Sequence, residues 1–178
     1  MNDRLTKDDW ITHGLRTLTN DGASALKVGS MATKLKVSRG SFYWHFRNIA
    51  DFRSQLLRSW QERSTDQVIR DLDAAKAEPD RLKHLMQRAF AAKRNLDRAM
   101  RSWAAEDKDV ARIVASVDAR RIAYIAKMLV VAGVESKKAL PRAAFLYWAY
   151  LGQAIVMDPR HSSIPALAID DISDLFEK

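Results

Sequence analysis

The sequence has no cysteine among its 178 residues. This absence excludes disulfide cross-links, thiolate metal ligands and a cysteine nucleophile, and it fits a reducing compartment. Long hydrophobic runs are also absent, because the longest apolar stretch, residues 145–157, is too short to cross a bilayer. The polar N-terminus MNDRLTKDDW has no apolar core for a signal peptide. We therefore expect a cytoplasmic protein without a membrane segment.

Apolar residues and positive charge are both well represented. Hydrophobic residues make up 47% of the chain, which is enough to build a core. Lys and Arg number 30 against 22 Asp and Glu, for a formal net charge of +8. On charge alone, nucleic acid and an anionic membrane both remain open as partners. The first fifty residues hold 8 Lys and Arg against 4 Asp and Glu, so positive charge is densest at the N-terminal end.

Apolar residues recur with helical spacing in almost every window, and no stretch alternates long enough to indicate a half-buried strand. We therefore predict an all-α fold of about nine helices. The first four are predicted at residues 6–20, 28–35, 39–46 and 48–75, with Ser38 and Asn48 as N-caps. Later helices are predicted to start at Pro79, Asn95 and Asp109, with Gly133 ending the longest of them. Two more are predicted around residues 141–157, where Pro141 marks a kink or the first turn, and at 164–176.

The segment KLKVSRGSFYWHFRNI, residues 34–49, combines a short turn with an unusual helix. Phe42 and Phe46 are four residues apart and share one face, which is expected to pack against Met31 and Leu35. The five consecutive residues FYWHF cannot all point inward, so part of the helix must be exposed. Core packing beside a solvated basic face is the commoner explanation of such a stripe. Here turn, cap, spacing and charge agree on a helix-turn-helix, whose second helix enters the major groove of DNA.

The residues on the other side of this helix suit contacts with DNA. Arg39 can reach base-edge acceptors or phosphate, and Gly40 removes a side chain that would hold the backbone away. Hydroxyl, aromatic and imidazole groups supply donors and flat surfaces, and basic side chains beside them, Lys34 included, neutralise phosphates. The candidate DNA-binding residues are Lys27, Lys36, Arg39, Gly40, Ser41, Tyr43, Trp44, His45 and Arg47.

The stretch GASALKVGSMATKLKVSRGSFYWHF, residues 22–46, resembles the tetracycline-repressor (TetR) family of bacterial transcriptional regulators. It is most similar to members with a GSFYWHF recognition helix. The resemblance implies that Tyr43 and His45 bind phosphates. Arg39, Ser41 and Trp44 would then lie nearest the bases.

The same resemblance implies a division of the chain and a partner. Residues 1–47 would form a helix-turn-helix DNA-binding domain, and residues 48–178 a helical ligand-binding and dimerisation domain. A homodimer would bind a palindromic double-stranded DNA operator and act as a repressor that a small, largely apolar effector releases. One departure is Ile49, where the family usually carries a Lys or Arg that binds a backbone phosphate. This departure is expected to weaken DNA binding unless Arg47 or Arg53 substitutes.

The body contains two further candidate sites. Small residues among large apolar ones in the segment around Trp148 would let a partner helix approach closely, although a single-chain core would give the same pattern. The candidate dimer-interface residues are Ala144, Tyr147, Trp148, Leu151 and Ile155. Aromatic and methionine side chains at helical spacing are usually core, but they also suit an apolar pocket. The candidate pocket residues are Trp60, Met86, Phe90, Trp103, Tyr124, Met128, Phe145 and Tyr150.

Other classes of function find less support in the sequence. There is no G-x-S-x-G elbow, phosphate-binding glycine loop or H-E-x-x-H motif, and the four histidines are scattered, so we expect no catalytic residues, no metal and no cofactor. The main alternative is a helical protein-interaction module that has weak or no DNA binding. A small all-α enzyme would require a convergent buried polar cluster.

Overall fold

The computed structural model describes residues 5–74, 81–91, 95–153 and 164–177. Within these residues the regular structure is entirely helical, which confirms the all-α prediction. The helices are α1 (Lys7–Asp21), α2 (Val28–Lys34), α3 (Arg39–Tyr43), α4 (Ile49–Gln61), α5 (Gln67–Ala74), α6 (Arg81–Ala91), α7 (Asn95–Glu106), α8 (Lys108–Val131), α9 (Ser136–Gly152) and α10 (Ala166–Glu177). A π-helical turn, Glu62–Asp66, joins α4 to α5, so residues 49–74 form one helical segment, as predicted.

Most helix ends follow the local signals in the sequence. The Thr6 side chain accepts a hydrogen bond from the Asp9 amide, and the Asp9 carboxylate accepts one from the Thr6 amide, which is a capping box. Asn48 caps α4 by accepting from the Asp51 amide at 2.9 Å, which confirms its predicted role. Gly133 has φ +102° two residues after α8 ends, as expected of a glycine stop.

Three details differ from the sequence predictions. α3 ends at Tyr43 rather than Phe46, and Ser38 occupies the N-cap position without a side-chain hydrogen bond. Of the two positions predicted for Pro141, the first turn is wrong, because α9 already begins at Ser136 and Pro141 lies inside it. The predicted start at Pro79 and the predicted stop at Asp158 and Pro159 lie outside the described residues.

The contacts within the chain define two compact units. The first unit comprises Met1–Ser64 and Asn95–Val114, and in it α1 packs against both α4 and α7. Gly14 allows the close approach of α1 and α4, since a Cβ there would lie 2.5 Å from Phe52 Cζ.

The second unit comprises Thr65–Arg94 and Ala115–Lys178. Its apolar core includes Leu82, Met86, Met128, Leu129 and Leu146. A buried polar cluster lies beside the π-helical turn, where the Tyr147 hydroxyl donates to Asp118 Oδ1 at 2.7 Å and Arg121 Nε donates to Thr65 Oγ1 at 2.9 Å. Burial raises the pKa of the Tyr147 phenol well above its usual value, so the hydroxyl stays protonated. Among the described residues, no helix is long and apolar enough to cross a membrane.

Candidate nucleic-acid interface

α2 and α3 are joined by residues 35–38, and this link has one special backbone position. Lys36 has φ +56°, which lies in the left-handed region of the backbone. Residues other than Gly, Asn and Asp rarely adopt this conformation. The amides of Lys36 and Val37 donate to Thr33 O and Ala32 O at 3.1 and 3.0 Å. The link is therefore a short hydrogen-bonded turn that brings α3 against α2.

The inner side of the α3 segment is aromatic and fully packed. Phe42 and Phe46 are 0% and 2% exposed, as their spacing predicted. The Phe42 ring lies edge-on to Trp10 with centroids 5.3 Å apart, and Phe46 lies edge-on to Phe52 at 4.9 Å. Edge-to-face pairs of this kind add to the burial energy and fix the rotation of the segment. Trp10 belongs to α1, and the sequence analysis did not identify it as a residue that supports this segment.

The outer side of the same segment presents large aromatic groups to solvent. Tyr43 is 59% and Trp44 is 72% exposed, and Arg39 and Gly40 are exposed beside them. This confirms that the aromatic run cannot all point inward. Exposed aromatic residues with a neighbouring guanidinium form a surface that suits contact with another molecule better than contact with water.

Two predicted contact residues are partly occupied within the chain. The Trp10 indole donates to Ser41 Oγ at 3.4 Å, and His45 Nε2 lies 2.8 Å from the carbonyl oxygen of Leu5. Both side chains are half-buried. The Ser41 hydroxyl can still donate its proton to another partner. The ring of His45 is held by the carbonyl oxygen of Leu5.

Arg39 is positioned by a glycine that sequence reasoning also missed. A Cβ on Gly29 would lie 3.1 Å from one terminal nitrogen of the Arg39 guanidinium, so Arg39 extends across α2 where α2 has no side chain. By contrast, a Cβ on Gly40 would meet only Ser38 Oγ, at 3.4 Å. Packing within the chain explains Gly29 but does not require Gly40.

The basic residues around α3 differ in how they are held. Lys27, Lys36 and Arg47 are exposed, whereas Lys34 is paired with Asp21 at 2.6 Å. The Arg47 amide donates to Asp51 Oδ2 at 2.9 Å. Hydrogen bonds from the Gln55 side chain and the Arg47 backbone lower the pKa of Asp51, so it stays ionised at neutral pH.

Ile49 is the first residue of α4 and is half-buried. It supplies no charge where the family resemblance implies a basic residue. Arg47 precedes it by two residues and is exposed. Arg53 is half-buried, and its Nε is buried without a hydrogen-bond partner. Arg47 is therefore the better placed of the two proposed substitutes to meet solvent or an anion.

The candidate pocket residues belong to both units. Trp60 and Trp103 are buried in the first unit, where the Trp60 indole donates to Asp97 Oδ1 at 3.1 Å. In the second unit, Met86 and Met128 belong to the apolar core, with Phe90 and Tyr124 packed against it. Phe145 is 61% exposed, and its ring lies 6.1 Å from the ring of Phe176. The Tyr150 ring stacks on Tyr147 with centroids 5.7 Å apart.

The candidate dimer residues also differ in accessibility. Trp148 is 64% exposed, and Leu140 and Phe145 are exposed near it on α9. Ala144 and Leu151 are half-buried, and Ile155 lies outside the described residues. Tyr147 is only 3% exposed, because its ring packs within its own chain, so it does not belong to the exposed face.

No group of histidine and acidic side chains that suits a metal ion occurs within the described ranges. Comparison with known proteins finds no protein-family model and no curated protein that matches the chain significantly.

Proposed function

We propose that the protein is a DNA-binding transcriptional regulator that resembles the TetR family and uses α2 and α3 as a helix-turn-helix. The observation that carries this proposal is the two-sided α3 segment, with Phe42 and Phe46 buried and Arg39, Tyr43 and Trp44 exposed. A short helix anchored by one face and rich in donors on the other suits insertion into the major groove. A regulator of this kind would act in the cytoplasm.

The exposed residues divide into two kinds of contact in this proposal. Tyr43, Lys27, Lys36 and Arg47 bind phosphates and set the position of α3, which makes affinity fall as salt rises. Arg39 and the Ser41 hydroxyl reach base edges, where Arg matches the O6 and N7 acceptors of guanine. His45 supports this surface from the side, since its Nε2 already lies against Leu5 O.

The test is selection of genomic fragments by the purified protein, followed by gel shifts over a range of salt concentrations. Arg39→Ala should remove enrichment of the selected site, and Lys36→Ala should lower the salt slope by about one per subunit. Arg112→Ala is the matched control, because Arg112 is an exposed arginine on α8, outside the segment. Fragment binding that Arg39→Ala and Arg112→Ala reduce equally would reject α3 as the DNA-reading element.

We also propose that the protein acts as a homodimer through the exposed face of α9. Leu140, Phe145 and Trp148 are each more than half exposed, and a face of this kind on one helix suits burial against a second copy. Trp148→Ser should shift sedimentation toward the monomer and weaken binding to a palindromic site. Trp44→Ser, which changes a tryptophan on the α3 segment that is 72% exposed, should weaken DNA binding without changing sedimentation. If Trp148→Ser leaves the oligomeric state unchanged, this face is not the interface.

Release by a small, largely apolar effector is the regulatory part of the proposal. The second unit supplies an apolar core with polar groups at its edge, such as Tyr124, whose hydroxyl donates to Asp73 Oδ1 at 3.0 Å. The helical segment 49–74 contributes residues to both units, so a shift in α5 has a covalent route to α4. A ligand that saturates the second unit and leaves operator affinity unchanged would reject this mechanism.

The second candidate is a protein-interaction module with weak or no DNA binding. The exposed apolar face of α9 and the uncharged Ile49 favour it. The absence of any enriched fragment at low salt, together with an intact fold, would support this candidate over the regulator.

A further inference from the structure

A cleft of about 320 Å³ lies in the first unit between the end of α1, the turn that follows it and one face of α7. This volume is at the lower end of the range for small-molecule sites. Leu18 and Trp103 line the cleft although they are only 1% and 4% exposed, so they form its apolar floor. The candidate pocket proposed for the effector contains only Trp103 of these lining residues.

The rim of this cleft is polar and carries one charge of each sign. Arg98, Ser102 and Glu106 line it at intervals of four residues, which places them on one face of α7. Arg98 and Glu106 are exposed, and neither has an ion-pair partner among the described residues. Eight residues of helix separate their Cα atoms by about 12 Å.

The wall that α1 contributes offers a hydrogen-bond acceptor. The Thr19 hydroxyl donates to Leu15 O at 2.8 Å. Its oxygen keeps lone pairs that can accept a hydrogen bond from a ligand. A backbone amide is such a donor. The cleft therefore combines a cation, a carboxylate, an acceptor between two helices and an apolar floor.

We propose that this cleft binds a short zwitterionic peptide with an apolar central side chain. Its carboxylate pairs with Arg98, its ammonium group pairs with Glu106, and its central side chain lies over Leu18 and Trp103. An extended tripeptide spans about 10 Å, and the flexible side chains of Arg98 and Glu106 cover the remainder. A ligand with one charge leaves the opposite end of the rim unpaired, which is the reason for choosing a zwitterion.

Occupation of the cleft bears on the proposed function because α1 forms one of its walls. α1 also carries Trp10, which packs edge-on to Phe42 and donates to Ser41. A peptide that holds α1 against α7 therefore favours one placement of the α3 segment. This coupling rests on the proposed DNA binding, whereas the peptide site itself does not.

The experiment is isothermal titration calorimetry of the full chain with the tripeptide Gly-Leu-Gly, without DNA. N-acetyl-Gly-Leu-Gly-amide has the same apolar group without the terminal charges and is the ligand control. Arg98→Met and Glu106→Gln should each weaken binding of the free peptide up to about fivefold, which is the range for one exposed ion pair. Arg112→Met, which removes the same charge from an exposed arginine outside the cleft, should leave binding unchanged.

Exchanging the charges of Arg98 and Glu106 distinguishes pairing with the peptide from a general loss of binding. Arg98→Glu and Glu106→Arg should each abolish binding alone, and their combination should restore it, because the peptide can bind in the opposite direction. Equal binding of the free and blocked peptides, no saturable binding at millimolar concentration, or no recovery in the double variant would each overturn the site. If the peptide binds but the gel-shift midpoint does not move, the coupling through α1 is wrong.

Discussion

Replacing Gly40 with alanine separates the stability of α3 from its contact with a partner. Gly40 is the second residue of α3 and is exposed. Its added Cβ would meet only Ser38 Oγ at 3.4 Å, an ordinary contact distance. Nothing within the described chain therefore opposes the methyl group.

The expected effect on folding is a gain in stability. Alanine in place of a helical glycine stabilises by about 0.5 to 1 kcal/mol, because the unfolded chain loses conformational freedom. For a chain of this size, a gain of that order raises the melting temperature by about 1 to 4 °C. Calorimetry or thermal circular dichroism at neutral pH measures it.

The expected effect on DNA binding has the opposite sign. If α3 enters the major groove as proposed, a methyl group at position 40 keeps the backbone from its closest approach. The loss of one contact worth about 1 kcal/mol or more weakens binding at least fivefold per subunit. Gel shifts with the selected site measure the change. Wild-type DNA affinity in a stabilised Gly40→Ala protein would refute the docking of α3, and a destabilised protein would refute the open space at Gly40.

Three further perturbations test the described contacts. Gly14→Ala should lower the free energy of unfolding by about 1 to 2 kcal/mol in urea titrations, because its Cβ would collide with Phe52 and overpacking outweighs the gain in helix propensity. Lys36→Asn should raise that free energy by up to about 1 kcal/mol, since Asn tolerates φ +56° better, and should lower the salt slope of DNA binding. Burial and nearby positive side chains lower the pKa of His13, so the unfolded state binds its proton at higher pH than the folded state. Stability should therefore fall as pH drops below about 6.5, and His13→Gln should reduce the difference between urea midpoints at pH 5.5 and 7.5.

Local signals in the sequence account for the positions of most helices and for the buried face of α3. The helical spacing of apolar residues, the N-caps and the glycine stops locate the helices, because each signal acts within one or two turns of helix. Asn48 and Gly133 are examples. The burial of Phe42 and Phe46 follows from their spacing for the same reason. The end of α3 at Tyr43 does not follow, because Trp44 and the residues after it have no strong breaker and their backbone depends on packing.

Contacts between distant residues account for what the sequence did not predict. Trp10 packs on Phe42 across a separation of more than thirty residues, and the bond from its indole to Ser41 turns that hydroxyl partly inward. Gly29 leaves room for Arg39 only because α2 and α3 cross at that point. The position of Tyr147 within the polar cluster depends on α8 meeting α9. A single sequence carries no signal for such pairs.

The exposed side of the α3 segment supports the proposal of a partner when its residues are compared with those that folding alone would favour. Folding favours alanine over glycine at position 40, since the site is helical and open. Folding gains little burial energy from the rings of Tyr43 and Trp44, which are 59% and 72% exposed, although the Tyr43 ring lies edge-on to Phe42 with centroids 5.4 Å apart. Three neighbouring residues therefore depart from the choice that stability would make, all on the face away from the buried phenylalanines. A solvated basic face accounts for Arg39 and Lys36 but not for a glycine at position 40 or for two exposed rings. The proposed contact with a nucleic acid accounts for them through close approach, stacking and phosphate binding.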